Sequence, residues 1–270
     1  MSRTEKRNPR TTNFSKESTA TMLQIINDEN MKSVRAVGEA IEDIAKAVDA
    51  VTEAFLLGGR LIYVGAGTSG RIAVMDAAEC PPTFGVDYET VITVMAGGRD
   101  AMFRAAEGVE DSAEAGRADL LAKNPTERDV VMGISASGNA EYVASALRAA
   151  KEMGCVTVSL SSNEDCKIGR IADVPIFVDT GAEVISGSTR MKAGNSQKFV
   201  LNMITTCAMA KTGKVYENLM INLRPTNIKL KGRMVGIVSE ICEVDEENAL
   251  CLLEENEFSI RKVFEKFGKV

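Results

Sequence analysis

A glycine-rich turn with two hydroxyl residues is the part of this sequence best suited to bind a ligand. In Gly65-Ala-Gly-Thr-Ser-Gly70, the glycines let the backbone bend and approach a ligand closely. The turn follows an apolar run, Leu61 to Val64, and opens a helical pattern. The first N–H groups of a helix are unpaired and carry roughly half a positive charge. Thr68 and Ser69 add hydroxyl groups, so the turn is predicted to bind an anion.

The same segment matches Gly-x-Gly-x-x-Gly, a fingerprint of dinucleotide-binding folds. Such a fold also needs an acid about 20 residues further on, at the end of the second strand, to hold a ribose. The next candidate strand, Val91 to Met95, instead ends in Ala96-Gly-Gly-Arg99. This difference favours a small phosphorylated molecule over a dinucleotide, and a tight turn without any ligand stays an alternative.

Two later segments repeat the combination of hydroxyl groups and glycine. Ser135-Ala-Ser-Gly138 follows another apolar run and again precedes a helical pattern. Gly181 to Gly194 is a third hydroxyl-rich turn, placed before a long apolar helix of about Ser196 to Ala210. Because the loops that follow parallel strands gather at one edge of the sheet, the first two turns are expected to form two walls of one site.

The elements that must position these turns alternate along the chain. Five apolar runs separated by helical patterns predict an α/β fold with a doubly wound, five-stranded parallel sheet flanked by helices. The predicted strands are Leu61–Val64, Thr90–Met95, Asp129–Ile134, Val156–Leu160 and Val174–Val178. The expected divisions are a basic N-terminal arm over 1–16, read as a solvated tail, the α/β domain over 17–225, and a small helical appendage over 226–270.

Two helices are predicted before the first strand. They would be separated at Asn27-Asp-Glu-Asn30, and the second would carry a core stripe from Val34 to Phe55. The helix after the first turn is expected to end near Glu79, because Pro81-Pro82 cannot continue it.

A long acidic helix is predicted after the second strand, from about Ala101 to Ala122. At helical spacing Glu107, Glu110 and Glu114 would share one face, which normally indicates a solvated stripe.

Composition excludes several kinds of function. A net charge of −6 argues against a nucleic-acid footprint, and no run approaches the ~20 apolar residues of a membrane span, so a cytoplasmic location is expected. The six cysteines contain no Cys-x-x-Cys pair, which predicts neither disulfides nor a zinc site. Without any histidine, acid–base chemistry must be done by carboxylates, Lys, Tyr or Cys.

At several motifs the chain resembles the N-acetylmuramic acid 6-phosphate etherases of the sugar isomerase (SIS) superfamily, over residues 4 to about 230. The motifs are Thr4-Glu-x-x-Asn8, Gly65-Ala-Gly-Thr-Ser-Gly-Arg71, Asp76-Ala-Ala-Glu-Cys-Pro-Pro-Thr-Phe-Gly85, Glu107-Gly-Val-Glu-Asp-Ser112 and Ser186-Gly-Ser-Thr-Arg-Met-Lys-Ala-Gly194. The resemblance implies an SIS phosphosugar-binding domain. It also implies cleavage of a D-lactyl ether without metal, nucleotide or other cofactor, in a homodimer whose sites lie near the subunit boundary.

By motif match, the resemblance makes Glu79 the acid that protonates the departing lactate oxygen and Glu110 the second catalytic carboxylate. The implied substrate-binding residues are Glu5, Asn8, Gly67, Thr68, Ser69, Arg71, Ser135, Ser137, Gly138, Glu183, Ser186, Ser188, Thr189 and Lys192. Of these, the hydroxyl residues other than Thr189, together with Lys192, are expected to surround the phosphate.

Two features depart from the family pattern. The family usually has Arg-Thr-Pro after the second Ser-Gly, whereas this chain has Asn139-Ala-Glu141. A cation and a hydroxyl group near the phosphate are thus missing, and Arg71, Lys192 or a partner chain would have to compensate. The C-terminal appendage is also shorter than the family's by about two helices.

Two other functions fit part of the pattern. An aldose–ketose isomerase of the SIS superfamily would share the phosphosugar loops and a carboxylate base, but it needs no acid at the C3 oxygen. A non-enzymatic phosphosugar sensor similar to the glucokinase regulatory protein would fit the altered second loop. The retention of both Glu79 and Glu110 favours an enzyme over a sensor.

Overall fold

Five parallel strands form the central sheet of the computed structural model, which describes residues 3–225 and 227–270. They are β1 (Leu61–Gly65), β2 (Val91–Met95), β3 (Val130–Ile134), β4 (Val156–Ser161) and β5 (Val174–Phe177). The strand order is β2-β1-β3-β4-β5 and each neighbouring pair is parallel. β1 and β3 are buried along their whole length, as continuous apolar strands of parallel sheets usually are. The predicted doubly wound α/β sheet is confirmed.

Helices cover both faces of the sheet. They are α1 (Thr19–Glu39), α2 (Ile41–Leu56), α3 (Gly67–Phe84), α4 (Ala113–Leu121), α5 (Glu141–Glu152), α6 (Lys167–Ile171), α7 (Lys192–Lys211), α8 (Ile228–Cys242), α9 (Glu246–Glu255) and α10 (Ile260–Lys266). Helices α1, α2, α3 and α7 share one apolar core with the sheet, and α4, α5 and α6 share a second core on its other face. The short helix α6 was not predicted.

The C-terminal helices have an apolar core of their own. α8, α9 and α10 pack together with a hairpin of β6 (Val215–Tyr216) and β7 (Leu219–Met220), which was also not predicted. Thr226, the first residue of the predicted appendage, lies outside the described residues. None of the described helices is both long enough and apolar enough to cross a membrane.

The predicted interruption at residues 27–30 is wrong. α1 continues through this segment to Glu39, and the break falls at Ala40. The polar run stays helical because Glu29 is buried against partners from distant parts of the chain, and such contacts override local propensity. The expected core stripe is only partly correct, since Val37, Ile44 and Val51 are buried whereas Val34 is 50% exposed.

The predicted helix end near Glu79 is also wrong. α3 runs through Pro81 and Pro82 to Phe84 and ends at Gly85, which adopts a left-handed φ of 63°. Proline lacks an N–H group, but its fixed φ near −65° matches that of a helix. Two prolines in the last turn therefore remove hydrogen bonds but do not end the helix.

The long acidic helix expected over 101–122 does not form. Short 3₁₀ turns occupy Arg99–Met102 and Val109–Asp111, and α4 begins only at Ala113. Gly108 has a φ of 74°, and the Ser112 side chain accepts a hydrogen bond from Ala115 N, which starts the helix there. Glu110 and Glu114 are therefore not on one helical face.

The N-terminal arm is not a solvated tail where the structure describes it. Thr4, Asn8 and Thr11 are buried, and each makes a hydrogen bond to a segment more than 150 residues further along the chain. The basic residues Arg7 and Arg10 remain exposed. The charge pattern predicted that the arm is solvated. It gave no sign of the anchoring residues, because these are small and uncharged.

Candidate active site

The predicted turns after β1 and β3 follow adjacent strands at the carboxyl edge of the sheet. From β1 the chain moves outward to β2, and then crosses back to place β3 on the other side of β1. The order thus reverses between β1 and β3, and in open α/β sheets ligands bind at such a crevice. The turns at Gly67–Gly70 and Ser135–Gly138 lie on its two sides.

The first turn leaves the N-terminus of an 18-residue helix open. Ala66 is the N-cap of α3 and provides no side-chain cap, and the first amide bonded back is that of Gly70, to Ala66 O at 3.2 Å. The amides of Gly67, Thr68 and Ser69 thus have no helical acceptor. Gly70 must be glycine, because a Cβ there would lie 2.9 Å from Gly65 O. This terminus can bind an anion through amides and hydroxyl groups.

The second turn is stabilised by its own side chains and by the loop after β4, from which Asn163 Nδ2 donates to Ala136 O at 3.0 Å. Ser135 Oγ accepts a hydrogen bond from Gly138 N at 3.1 Å and lies 3.3 Å from Ser137 Oγ. Gly138 has a φ of +70°, and a Cβ there would lie 2.5 Å from Cβ of the buried Cys166. Ser137 Oγ also accepts from Asn139 N at 3.2 Å. The turn thus places two hydroxyl groups next to each other at the carboxyl edge of the sheet.

The carboxylate of Glu183 is bound by the backbone of α7. This carboxylate is fully buried and accepts the first two amides of α7, those of Lys192 at 3.1 Å and Ala193 at 3.0 Å. Burial raises the pKa of Glu183, although these amide hydrogen bonds act in the opposite direction. The Glu183 carboxylate therefore occupies the anion-binding N-terminus of α7. It is not free to make the predicted contact with substrate.

The start of α7, at the end of the third segment, lies next to the first turn. Thr189 O accepts from Gly194 N at 2.9 Å, and a Cβ on Gly194 would lie 3.4 Å from Thr68 Cγ2. Ser186 is exposed and Ser188 is half-buried. Glu5 is exposed as well, and its carboxylate lies over Gly187, where a Cβ would come within 3.0 Å of Oε2.

Two predicted cationic ligands are engaged elsewhere. The ammonium group of Lys192 is buried and lies 2.6 Å from Glu29 Oε2 and 2.6 Å from Ala182 O. Asn8 joins the same group through Nδ2, which lies 3.0 Å from Glu29 Oε2. The guanidinium of Arg71 donates to the carbonyls of Ala101 at 2.7 Å and Met102 at 3.0 Å. Neither cation replaces the one missing after Ser137-Gly138 in this arrangement.

The two predicted catalytic carboxylates are exposed and lie on different elements. Glu110 lies in the loop after β2, which the Arg71 contacts tie to the first turns of α3. Glu79 follows Gly67 by 12 residues on α3, about 18 Å along the helix axis. One chain therefore does not bring Glu79 close to its own turn at Gly67–Gly70.

Sequence reasoning gave no role to Asp76, which lies one turn before Glu79 on α3. Its buried carboxylate accepts hydrogen bonds from Tyr63 Oη at 2.8 Å and Asn202 Nδ2 at 2.6 Å. Burial raises the pKa of Asp76, while these hydrogen bonds oppose the rise. Burial, together with the Asp76 charge, raises the pKa of Cys80 to about 12, so this thiol is not a ready nucleophile. The sequence signal that could have found this residue was the acid that begins the Asp-Ala-Ala-Glu motif, next to apolar residues.

A cavity of about 1090 Å³ lies on the outer side of β2, next to the loop that carries Glu110. Its walls include Val94, Met102 and Val109, and the polar residues Glu107 and Ser112 lie at its border. It is mostly apolar and is not formed by the turns after β1 and β3. A charged phosphosugar is better matched by those turns than by this cavity.

Comparison with known proteins agrees with this geometry. Residues 43–151 match the family described as the glucokinase regulatory protein N-terminal SIS domain. A putative phosphosugar isomerase structure from Bacteroides fragilis has a TM-score of 0.55 at 22% identity, with 73% of this chain and 94% of that chain covered, and so shares the fold.

Two curated relatives are much more similar. The N-acetylmuramic acid 6-phosphate etherase of Clostridium beijerinckii is 48% identical over 96% of this chain and 85% of its own. The etherase of Salmonella agona is 46% identical over 95% of this chain and 86% of its own. Identity at this level over nearly the whole sequence shows that the chain belongs to the N-acetylmuramic acid 6-phosphate etherase family.

Proposed function

We propose that this protein cleaves the D-lactyl ether of N-acetylmuramic acid 6-phosphate, which yields N-acetylglucosamine 6-phosphate and D-lactate. The observation that carries the proposal is the open N-terminus of α3 beside the serine turn 135–138, at the switch point of the sheet, in a chain of this family. Both turns supply donors for a phosphate, and the chain keeps Glu79 and Glu110 for proton transfer.

The phosphate is held by neutral donors in this proposal. The amides that begin α3 and the hydroxyl groups of Thr68, Ser69, Ser135 and Ser137 surround it, and Ser186 and Ser188 approach from the third segment. A hydrogen bond to a charged group contributes about 1.5–3 kcal/mol. Several such bonds compensate for the absent cation, since Arg71 and Lys192 have other partners.

Two carboxylates suffice for the chemistry. Opening of the sugar ring exposes an aldehyde, which acidifies the proton on C2. A base removes that proton, the C3–O bond breaks, and the departing lactate oxygen takes a proton from an acid. Water then adds to C3 of the unsaturated aldehyde while C2 regains a proton. Each positioned proton transfer contributes roughly 10²–10⁴-fold.

Glu110 is proposed as the C2 base and Glu79 as the acid, and their positions require a second subunit. Three carbon–carbon bonds of about 1.5 Å each separate C3 from C6 of the sugar. Glu79 lies about 18 Å along α3 from the turn proposed to hold the phosphate on C6. Glu79 would therefore act on the sugar bound by a partner chain.

The helical layer of α1, α3 and α7 is the proposed homodimer face. It exposes the apolar side chains Leu23, Met31, Val34, Met75, Phe199 and Met203. Exposed apolar side chains grouped on one face are typical of an interaction surface. Met75 lies one turn before Glu79, so a second copy packed here would meet the proposed acid. A monomer with full activity at micromolar concentration, seen by light scattering, would contradict the dimer.

Lactate release from N-acetylmuramic acid 6-phosphate by the purified protein tests the function directly. NMR of N-acetylglucosamine 6-phosphate in deuterated water tests the C2 step alone. Exchange at C2 together with lactate release supports the etherase. Formation of a ketose would identify an isomerase. Binding of the phosphosugar without exchange would identify a sensor, which the match to the glucokinase regulatory protein domain keeps as the second candidate.

Single substitutions separate the two carboxylates. Glu79→Gln should lose lactate release by at least ~10²-fold yet still exchange the C2 proton, because only ether cleavage needs the acid. Glu110→Gln should lose both activities. Glu114→Gln, which alters an exposed acid in the first turn of α4, is the matched control and should change neither. Normal ether cleavage by the Glu79 variant would show that the acid has been misassigned.

A further inference from the structure

A buried cluster of charged side chains joins α1, α7 and the N-terminal arm. The side chains of Glu29 and Lys192 are each 1% exposed, and Lys192 Nζ lies 2.6 Å from Glu29 Oε2. Asn8 Nδ2 donates to the same oxygen at 3.0 Å, and Lys32 Nζ donates to Oε1 at 2.5 Å. Arg10 Nε lies 3.9 Å from Oε1. Three segments far apart in sequence therefore meet at one carboxylate.

The partners of Glu29 also hold the segment 182–188. Lys192 Nζ donates to Ala182 O at 2.6 Å, and Asn8 Nδ2 donates to the same carbonyl at 3.3 Å. Two of the side chains that bind the carboxylate of Glu29, those of Lys192 and Asn8, thus also bind the first residue of the segment. Glu29 thus helps to fix the position of the Ala182 carbonyl, although it does not contact that carbonyl.

The arm holds the rest of the segment at two further places. Thr11 Oγ1 donates to Val184 O at 2.8 Å, and Gly187 N donates to Thr4 O at 3.2 Å. These contacts exist only when the arm lies against the body of the protein, where Asn8 anchors it to Glu29. Ser186 and Ser188, which are proposed to approach the phosphate, are thus carried by a segment that depends on the arm.

Stability alone gives little reason for such a cluster. Desolvation of two charges costs several kcal/mol per ion, and buried pairs can often be replaced by apolar side chains without loss of stability. Removal of one partner, in contrast, leaves an uncompensated charge. In some proteins a buried ion pair specifies one arrangement of the segments that it joins.

We propose that Glu29 is a positioning residue for phosphosugar binding, because it holds the N-terminal arm and the segment 182–188 in the arrangement that the substrate requires. The inference rests on the function proposed above and adds a residue that does not touch the substrate. It also makes the arm part of the site, since docking of the arm and binding of the phosphosugar then favour one another.

Glu29→Gln tests the proposal against a matched control at the other end of the sheet. Asp129 is likewise buried, and its Oδ2 lies 2.7 Å from Arg60 Nη2 at the amino end of β3. Glu29→Gln and Asp129→Asn each remove the acid of a buried ion pair and should both lower the unfolding temperature. Only Glu29→Gln should raise KM, by about tenfold or more, with kcat changed less than about threefold, because small displacements of positioning groups are costly.

Limited trypsin digestion measures docking of the arm without any assay of activity. The arm contains Arg3, Lys6, Arg7 and Arg10 as cleavage sites. Glu29→Gln should speed cleavage there, while Asp129→Asn should behave like the unaltered protein. N-acetylglucosamine 6-phosphate should slow cleavage of the unaltered protein, and unphosphorylated N-acetylglucosamine should not.

Each result decides the proposal. Equal KM changes in the two variants, or arm cleavage in Glu29→Gln as slow as in the unaltered protein, would overturn it. If the unaltered protein releases no lactate, the proposed function fails, and arm cleavage still decides whether Glu29 holds the arm. Should Glu29→Gln not fold, Asn8→Ala removes the link between arm and Glu29 without leaving a charge unpaired, and it should also raise KM and speed cleavage.

Discussion

The turn after β3 and the segment 182–188 both carry serines proposed to bind phosphate, but they are held in place by different means. In the turn, Ser135 Oγ binds Gly138 N within four residues. In the segment, Ala182 O is bound by Lys192, ten residues away, and by Asn8, 174 residues away. The turn is thus bonded within itself and to the loop after β4, whereas the segment is held by the arm and by α7.

This comparison explains why the two regions should respond differently to mutation. A turn with hydrogen bonds of its own is disturbed most by changes within it. A segment held by distant partners is disturbed by changes that are remote in sequence and alter none of its own residues.

Gly138→Ala should have the largest effect on the turn. A φ of +70° is strained for alanine, and the new Cβ would lie 2.5 Å from Cβ of Cys166. Since the turn presents two hydroxyl groups at about 1.5–3 kcal/mol each, kcat/KM should fall by about 10²-fold or more. Adding Cys166→Gly removes the clash but leaves the strain, so it should recover only part of the activity. An active single variant would show that the turn is not part of the site.

Ser137→Ala should weaken binding of N-acetylglucosamine 6-phosphate by roughly tenfold or more, because one hydrogen bond to a charged group is lost. Thermal stability should hardly change, since Ser137 is partly exposed. Calorimetric titration measures the affinity. Ser188→Ala gives the corresponding value for the third segment, and equal affinity of the Ser137 variant and the unaltered protein would move the phosphate elsewhere.

Thr11→Val should have a smaller effect on the third segment. It removes the 2.8 Å hydrogen bond to Val184 O and keeps the shape of the side chain. An unmade buried hydrogen bond costs about 1–3 kcal/mol, part of which should appear as a several-fold rise in KM. Thr12→Val is a suitable control, because Thr12 is exposed and its hydroxyl reaches only Pro9 O, at 3.5 Å. Identical KM values in the two variants would argue against coupling through the arm.

The dependence of stability on pH distinguishes Glu29 from Asp76. Burial acts to raise the pKa of Glu29, but hydrogen bonds from Lys192 and Lys32 outweigh it and hold the pKa below its ordinary value of 4.5. Its stabilisation is therefore present above pH 4.5 and is lost as the pH falls through the lowered pKa. Burial raises the pKa of Asp76 above 3.8, so its contribution is lost as the pH rises through the raised pKa.

Thermal unfolding of the variants between about pH 3 and pH 7 checks these opposite changes of stability with pH. This range is about the width over which such carboxylates titrate. Glu29→Gln should lose less stability than the unaltered protein below pH 4.5. Asp76→Asn should instead change how stability depends on pH above pH 3.8. The same acid slope in Glu29→Gln as in the unaltered protein would mean that the Glu29 carboxylate is not the paired group.

Much of the fold could be predicted from the chain alone. Continuous apolar strands, glycine at the turns and helical spacing between them depend on neighbours in sequence, and they located all five strands of the sheet to within one residue at each end. The switch point between β1 and β3 could not be predicted in the same way, because it depends on the strand order, which no local pattern contains.

Other features were decided only by tertiary contacts. Glu29 lies in a polar run that favoured a helix break, and only its contact with Lys192 explains why the helix continues. Lys192 and Arg71 were expected at the phosphate because their charge suits it, but charge does not reveal which of several acceptors a long side chain will reach. The arm was expected in solvent because its anchors are ordinary small residues.

Sequence by itself determined the residue types that can do the chemistry: two carboxylates, a set of hydroxyl groups and helix amides, with no histidine. Tertiary structure alone decided which of these groups lie near one another: it placed the turns after β1 and β3 on adjacent strands and gave Lys192 and Arg71 other partners. The physical reason is that residue type and local spacing act over a few residues, whereas the position of a side chain depends on partners that folding brings from anywhere in the chain.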